Sequence, residues 1–189
     1  MVDILERPEI RNRAVPLSVE AFHVLVQAGH VPKNTELIRG VIVEKMSKSP
    51  LHSFVVRKLY EILRAVCPSG CEVLKEDPLT LLDSEPEPDL AIVADRGAEY
   101  SETHPTSAEL VIEVAISSIE IDLDKLEVYA AAGIPEVWLV KPEVPEIEIY
   151  SSPADGSYGA RGIFRAGEIA KSPSVVGLEV AVDSLSPKG

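Results

Sequence analysis

The stretch LVIEVAIS at residues 110–117 places a single charged residue, Glu113, inside an otherwise apolar segment. Most of its neighbours are β-branched or aliphatic, which predicts an interior strand of a layered α/β protein, covered on both faces. A carboxylate in such a strand is costly, because burial removes it from water. Glu113 therefore needs a cation, a hydrogen-bonding cage or a cleft; pairing with a structural lysine or arginine is one alternative.

Composition favours one domain. The chain has 189 residues, 46% of them hydrophobic, so we predict a single domain over residues 1–189 with an N-terminal extension at residues 1–16. The sequence contains no apolar run approaching the roughly 20 residues of a membrane-spanning helix, and its N-terminus lacks the apolar segment of a secretory signal. We therefore expect a cytoplasmic protein, and two reduced thiols at Cys67 and Cys71.

The charge balance is strongly acidic. The chain carries 31 acidic and 18 basic residues, for a formal charge of −13, which repels polyanions at long range and argues against a general nucleic-acid coat. Two interpretations stay open: an acidic enzyme with a local basic groove, or a protein that never binds nucleic acid. Carboxylates clustered around a divalent ion would contribute to the same excess.

Hydrophobic periodicity predicts the order of the secondary-structure elements. Residues 18–29 predict a helix capped by Ser18, and residues 36–46 predict a hairpin that turns at Arg39-Gly40. The other predicted elements are a helix at 52–66, strands at 72–82, 89–93 and 109–116, a helix that begins at Asp122, a strand at 137–140, an edge or hairpin strand at 146–150, a loop at 151–159 and short β segments in the tail. This order predicts a mixed central sheet flanked by helices.

Two acidic residues stand where predicted strands meet the centre of this sheet. Asp89 precedes the apolar run LAIV, and Glu113 lies 24 positions further along the chain. If their strands are neighbours, the two residues can face each other across about 5 to 7 Å, a gap that suits Mg²⁺. Taken alone, Asp89 also fits a turn residue after Pro88.

Lys125 follows on the second predicted long helix. Its stem could reach over the end of the sheet and bring an ammonium beside the ion, where it would stabilise charge on a phosphate or help to deprotonate a water. The alternative is an exposed helix residue that pairs with its neighbours Asp122, Asp124 and Glu127.

Several sequence blocks together carry a resemblance to a known family. They are ELIRGVIVEKMSKSPLHSFVVRKL, PEPDLAIV, ELVIEVAISSIEIDLDKLEVYAAAGIPEVWLV and PSVVGLEVAVDSL. The chain resembles the PD-(D/E)XK nuclease superfamily, and more closely its Uma-type restriction endonuclease branch. The resemblance implies a restriction-endonuclease-like core in which Asp89 and Glu113 bind a divalent metal.

The resemblance also assigns the remaining candidate residues. The superfamily lysine lies two residues after the acid, where this chain has Ala115, and the Uma-type branch uses a lysine on the next helix, which Lys125 matches. His52 matches a position on the preceding helix that often adds a polar group to the site; capping of its own helix is the alternative. Independently of the resemblance, Glu76 could join the metal shell from the adjacent strand as a second-rank ligand; a plain strand-end residue before the proline is the alternative.

The combined prediction is a metal-dependent endonuclease that hydrolyses DNA, with Mg²⁺ or Mn²⁺ activating water. Its catalytic residues would be Asp89, Glu113, Lys125 and His52. We expect Lys45, Lys48 and Arg57 to line the approach of DNA. A homodimer is expected, with its contact in the hairpin of residues 36–46 or in the strand EIEIY at 146–150. The alternative is a binding or regulatory protein that keeps the nuclease fold without catalysis.

Overall fold

Three of the described helices are interspersed among runs of consecutive strands. The computed structural model describes residues 9, 13–45, 47–116 and 119–186, without the side chains of residues 119–122. In chain order the elements are α1 Val19–Gln27, β1 Thr35–Ile38, β2 Val41–Glu44, α2 Pro50–Val66, β3 Cys71–Lys75, β4 Leu90–Ala94, β5 Leu110–Val114, α3 Ile119–Ala131, β6 Glu136–Lys141, β7 Glu146–Ala154, β8 Ser157–Arg165, β9 Ile169–Lys171 and β10 Glu179–Ala181.

A six-stranded sheet forms the centre of the described structure, in the order β3-β4-β5-β6-β7-β8. The β5–β6 pair is parallel because α3 connects these strands as a crossover, and the other neighbouring pairs are antiparallel. The predicted mixed sheet flanked by helices is therefore confirmed.

Helices α2 and α3 cover opposite faces of this sheet. Alternate side chains of β5 point to opposite faces, so Ile112 joins the core beneath α2, whereas Val111 joins the core beneath α3. Glu113 alternates with Ile112 and so faces α3. The flanking apolar residues are fully buried, as the composition of LVIEVAIS predicts.

The β1–β2 hairpin forms a separate two-stranded sheet that packs with α1. Its turn has positive φ at Arg39 (49°) and Gly40 (73°), the conformation of the tightest hairpin turns. A Cβ at Gly40 would lie 2.4 Å from the Cβ of Pro16, so this position requires glycine. Ser18 caps α1 by accepting a hydrogen bond from the Ala21 N–H, and both sequence predictions for this region are confirmed.

Three predicted boundaries are wrong. The helix expected at residues 52–66 begins at Pro50, because Ser49 is its N-cap and accepts the His52 N–H. The strand expected at 72–82 ends at Lys75, because Glu76 adopts a φ of 58°. Helix α3 begins at Ile119, three residues before Asp122.

For residues 146–150 the hairpin alternative is confirmed, and the edge-strand alternative is wrong. Strand β7 pairs with β6 on one side and with β8 on the other. The loop expected at 151–159 shrinks to a tight turn at Asp155-Gly156, where both residues have positive φ. Because Ile147 and Ile149 are buried, they are not available for the expected dimer contact.

Other sequence expectations concern the whole chain. None of the described helices is long and apolar enough to cross a lipid bilayer. The extension predicted for residues 1–16 lies mostly outside the described residues, and the single domain stays a prediction. Cys67 and Cys71 are free thiols, and burial raises the pKa of each.

Candidate active site

Asp89 and Glu113 lie at the same end of two neighbouring strands. Leu90 pairs with Ile112 in the antiparallel β4–β5 ladder, and one further step of this register sets Asp89 beside Glu113. The Asp89 Oδ2 atom accepts the backbone N–H of Val114 over 2.8 Å. Both acids are buried, with exposures of 7% for Asp89 and 4% for Glu113. The structure thus brings these two predicted residues together.

His52 contacts Asp89 from the α2 side of the sheet. Its Nε2 atom lies 3.0 Å from Asp89 Oδ2, and its Nδ1 atom is buried without a described hydrogen-bond partner. Because Ser49 and Pro50 start α2, His52 falls in the first turn and its side chain reaches the strand end. The alternative in which His52 caps its helix is wrong, since Ser49 does so.

Glu76 and Lys48 border the same carboxylate. Lys48 Nζ lies 3.1 Å from Glu76 Oε1 and 3.9 Å from Asp89 Oδ1. The Glu76 N–H donates to the backbone carbonyl of Asp89, and its left-handed φ of 58° ends β3 at this point. Glu76 and Asp89 therefore share one ammonium, contributed by the segment that precedes α2.

Lys125 and Tyr129 approach Glu113 from α3. They are one helical turn apart and so lie on the same face of α3. Lys125 Nζ lies 3.4 Å from Glu113 Oε1, and the Tyr129 hydroxyl donates to the same oxygen over 2.7 Å. Lys125 is only 4% exposed, so its interpretation as a solvated helix residue is wrong. Glu127, one of the partners considered for it, pairs instead with Arg39 at 2.7 Å.

Glu36 is the residue that sequence reasoning missed. Its Oε2 atom lies 2.8 Å from Lys125 Nζ and also accepts the backbone N–H of Glu87 over 3.0 Å. Glu36 is on β1 and 8% exposed. A signal was present, because strand alternation puts Glu36 on the same face as the buried Ile38.

The described contacts are rich in carboxylates. Lys125 contacts two of them, Glu36 and Glu113, and Lys48 contacts two others. Carboxylate oxygens at a strand end match Mg²⁺, which takes one or two of them and completes its shell with water and phosphate. Within the described part of the chain, no group of three or more His, Cys, Asp or Glu side chains has the geometry of a metal site. A site here would depend on Asp89 and Glu113, with Glu76 nearby.

The residues expected to guide DNA lie in different environments. Lys45 pairs with Glu87 at 2.6 Å, and both line a groove of about 620 Å³ between α1, the hairpin and the loops around residues 78–87 and 102–106. Arg57 is exposed on α2. Lys48 lies closer to the acids than sequence reasoning expected.

Comparisons with known proteins agree on the fold. A family model, Uma2, described as "Putative restriction endonuclease", matches residues 19–183. A crystal structure described as that of "a putative nuclease" from Anabaena variabilis ATCC 29413 aligns with a TM-score of 0.70 and 16% sequence identity, covering 90% of this chain and 97% of that one. At this identity the likeness shows the fold alone. Among curated proteins, none matches this sequence significantly.

Proposed function

Because this chain belongs to the Uma2 family of restriction-endonuclease-like proteins, we propose that it is an endonuclease that hydrolyses DNA phosphodiester bonds with a divalent metal ion, Mg²⁺ or Mn²⁺. One observation carries the proposal: the carboxylates of Asp89 and Glu113 are buried at one end of adjacent strands, and the buried ammonium of Lys125 lies against Glu113. Buried ionisable groups that cluster with specific charge partners in this way are candidates for a functional site.

Asp89 and Glu113 would hold the ion, with Glu76 as a further carboxylate. Asp89 Oδ2 already accepts the Val114 N–H and contacts His52, which fixes the orientation of the carboxylate. The second oxygen, Oδ1, has Lys48 at 3.9 Å. When bound, the ion would supply an activated water and neutralise charge on the attacked phosphate.

Lys125 provides the fixed positive charge of the proposed site. Its ammonium is held between Glu113 on the central sheet and Glu36 on the hairpin, so little rotamer entropy is left to lose when the phosphate arrives. We assign Glu36 as a positioning residue for Lys125. The lysine thereby compensates for Ala115, which occupies the usual position of the superfamily lysine.

His52 has a different task in this proposal. A proton on Nε2 would be donated to Asp89, and Nδ1 would then carry a lone pair. This arrangement holds the Asp89 side chain against the strand end in one orientation. His52 therefore acts through Asp89, as a second orienting group beside the Val114 N–H.

Plasmid nicking with added Mg²⁺ or Mn²⁺ tests the proposal. The wild type should convert supercoiled plasmid to nicked or linear forms, and Asp89→Asn and Glu113→Gln should abolish this conversion. A matched control is Glu148→Gln, which changes another buried glutamate of the same sheet and should leave cleavage intact once folding is verified. Undiminished cleavage by both site variants would defeat the assignment.

A second candidate function is a nuclease-fold binding protein without catalysis. It is favoured by Ala115 and by the fact that the described acids already have cationic or histidine partners. Titration calorimetry separates the two functions. Mn²⁺ binding that disappears in Asp89→Asn supports the nuclease, whereas no binding at millimolar Mn²⁺ supports the scaffold.

We also propose that the protein is a homodimer, because cutting both DNA strands needs two sites. Because β7 is an interior strand of the sheet, the β1–β2 hairpin is the remaining candidate for the dimer contact. In the described sheets β2 pairs with β1 only, and its Val41 and Ile42 are 56% and 37% exposed. Ile42→Lys should shift the species in analytical ultracentrifugation from dimer to monomer while the thermal melting point changes little; a wild-type monomer at high concentration would contradict the proposal.

A further inference from the structure

Lys48 occupies a position between two carboxylates of the proposed metal site. Its ammonium lies 3.1 Å from Glu76 Oε1 and 3.9 Å from Asp89 Oδ1. The Lys48 side chain is 35% exposed, and residues 47–49 precede α2 outside any helix or strand. Lys48 therefore has room to move, whereas Lys125 is sealed between its two glutamates at 6% side-chain exposure.

The position matters because of how Asp89 is held. Its Oδ2 atom is engaged by the Val114 N–H and by His52. A metal ion would therefore approach Oδ1, the oxygen that faces Lys48. An ammonium and a divalent cation repel each other strongly at contact distance, so both cannot occupy this place at once.

We propose that Lys48 is an exchangeable counter-cation of the metal site. It neutralises Glu76 and Asp89 before the metal binds, swings out when the ion arrives, and then contacts a phosphate of the DNA. This inference rests on the proposed function, because it presupposes a metal at Asp89. It adds a coupling between metal loading and DNA binding, carried by one mobile side chain.

The energetics allow such an exchange. Partly exposed ion pairs are worth little, since water and salt screen them, so the metal can displace Lys48 at small cost. Without Lys48, the two acids would repel each other in the metal-free protein, and the metal would bind more tightly. Removing Lys48 should also delete one phosphate contact in the metal-loaded complex. Loss of any positive charge near the acids shifts both affinities in these directions through space, so the exchange is recognised by effects larger than those of a neighbouring lysine.

The experiment measures metal and DNA binding separately, without a cleavage assay. Mn²⁺ affinity is measured by titration calorimetry, and affinity for a labelled duplex is measured by fluorescence anisotropy in Ca²⁺. Relative to wild type, Lys48→Met should bind Mn²⁺ about threefold more tightly. The same variant should bind the duplex about threefold more weakly, with a shallower dependence on salt.

Two variants serve as controls. Lys75→Met removes the same charge from a residue that contacts Glu76 at 3.9 Å, and no contact with Asp89 is described for it, so it measures the through-space effect of one positive charge. Lys48→Arg keeps the cation and should restore wild-type metal affinity. Circular dichroism melting verifies that each variant is folded; if Lys48→Met does not fold, Lys48→Gln replaces it.

The outcomes separate this inference from the function on which it rests. If wild type binds Mn²⁺ and Asp89→Asn does not, but Lys48→Met matches wild type or Lys75→Met in metal affinity, the exchange is wrong and the metal site stands. If Asp89→Asn retains full Mn²⁺ affinity, or no variant binds Mn²⁺, the metal site and the exchange both fail. A gain of metal affinity specific to Lys48→Met supports the exchange.

Discussion

Glu113 and Glu148 are buried glutamates on one face of the central sheet, and they differ in which residues pair with their carboxylates. The strand register runs from Glu113 through Leu139 to Glu148, so the two acids lie in one row with a single residue between them. Their exposures are 4% and 1%. Burial and face are therefore nearly equal for the two residues, and neither property distinguishes a site from a structural ion cluster.

The partners of Glu148 come from its own strand and the two neighbouring strands. Lys141 on β6, Tyr150 on β7 and Arg161 on β8 all contact its carboxylate. Burial raises the pKa of Glu148, but the hydrogen bonds from these three partners together outweigh burial and leave the pKa below its ordinary value. This cluster is complete within the sheet, as expected for a group that stabilises the fold.

Glu113 obtains its described partners from outside the sheet. Lys125 and Tyr129 belong to α3, and Lys125 is shared with Glu36 on the hairpin. The cluster also lies at a strand end beside Asp89, whereas Glu148 lies within the β6–β8 ladder. The comparison teaches that position at a strand end and partners from outside the sheet, and not burial, distinguish the proposed site from the Glu148 cluster.

The largest expected effect separates the two acids by catalysis. Glu113→Gln and Asp89→Asn should lower the nicking rate by about a hundredfold or more, because each removes a proposed ligand of the ion. Glu148→Gln should change the rate per folded molecule by less than about twofold. Rates are measured on plasmid with Mg²⁺ after quantifying folded protein. An equal loss of nicking rate in all three variants would show that the Glu113 and Glu148 clusters do not differ in catalysis.

In the free energy of unfolding, unlike in the cleavage rate, Glu148→Gln should have a large effect. Glu148→Gln removes the more buried of the two described carboxylate partners of Lys141, leaving Glu146, and should cost ~2 kcal/mol of unfolding free energy. Since the folded-state pKa of Glu148 is below its unfolded value, its contribution is present above the unfolded pKa and lost as pH falls through the folded one. In urea unfolding measured from pH 7 down to pH 3, the free energy of unfolding should therefore decrease less for Glu148→Gln than for wild type.

Glu36 provides the next test, because it acts on the chemistry only through Lys125. Glu36→Gln keeps an acceptor for the Glu87 N–H but removes the charge that holds the ammonium, so kcat should fall about tenfold with KM little changed. Glu36→Asp should restore part of the loss. A change in KM alone, or in melting temperature alone, would assign Glu36 to substrate binding or to folding instead.

The smallest effects come from a matched pair of tyrosines. Tyr129 donates its hydroxyl to Glu113, and Tyr150 donates to Glu148. Each tyrosine-to-phenylalanine change should cost ~1 kcal/mol in thermal or urea unfolding, because it deletes one buried hydrogen bond. Only Tyr129→Phe should also slow cleavage, by roughly threefold. An activity loss in Tyr150→Phe would show that the Glu148 cluster is coupled to the site.

Local pattern was informative where burial and chain order decide the outcome. The apolar run around Glu113 predicted a buried strand, the hairpin at Arg39-Gly40 formed as expected, and the two acids came together at one sheet end. Pattern was ambiguous for EIEIY, since its alternation of charged and apolar residues fits an edge strand or a hairpin partner, and the strand is a hairpin partner inside the sheet. Its glutamates take partners from β6, β7 and β8, and the alternation of charged and apolar residues does not reveal that pairing.

By itself, the sequence determined the elements, their order and the mixed sheet, because hydrophobic periodicity is a local property. It predicted Asp89 beside Glu113 on the condition that their strands are neighbours, and the β4–β5 pairing meets that condition. Only the tertiary structure decided that Glu36 would hold Lys125 and that Lys48 would bridge Glu76 and Asp89. These contacts join residues far apart in the chain. They depend on how the hairpin and the helices dock on the sheet, and side-chain ion pairing leaves no periodic trace in the sequence.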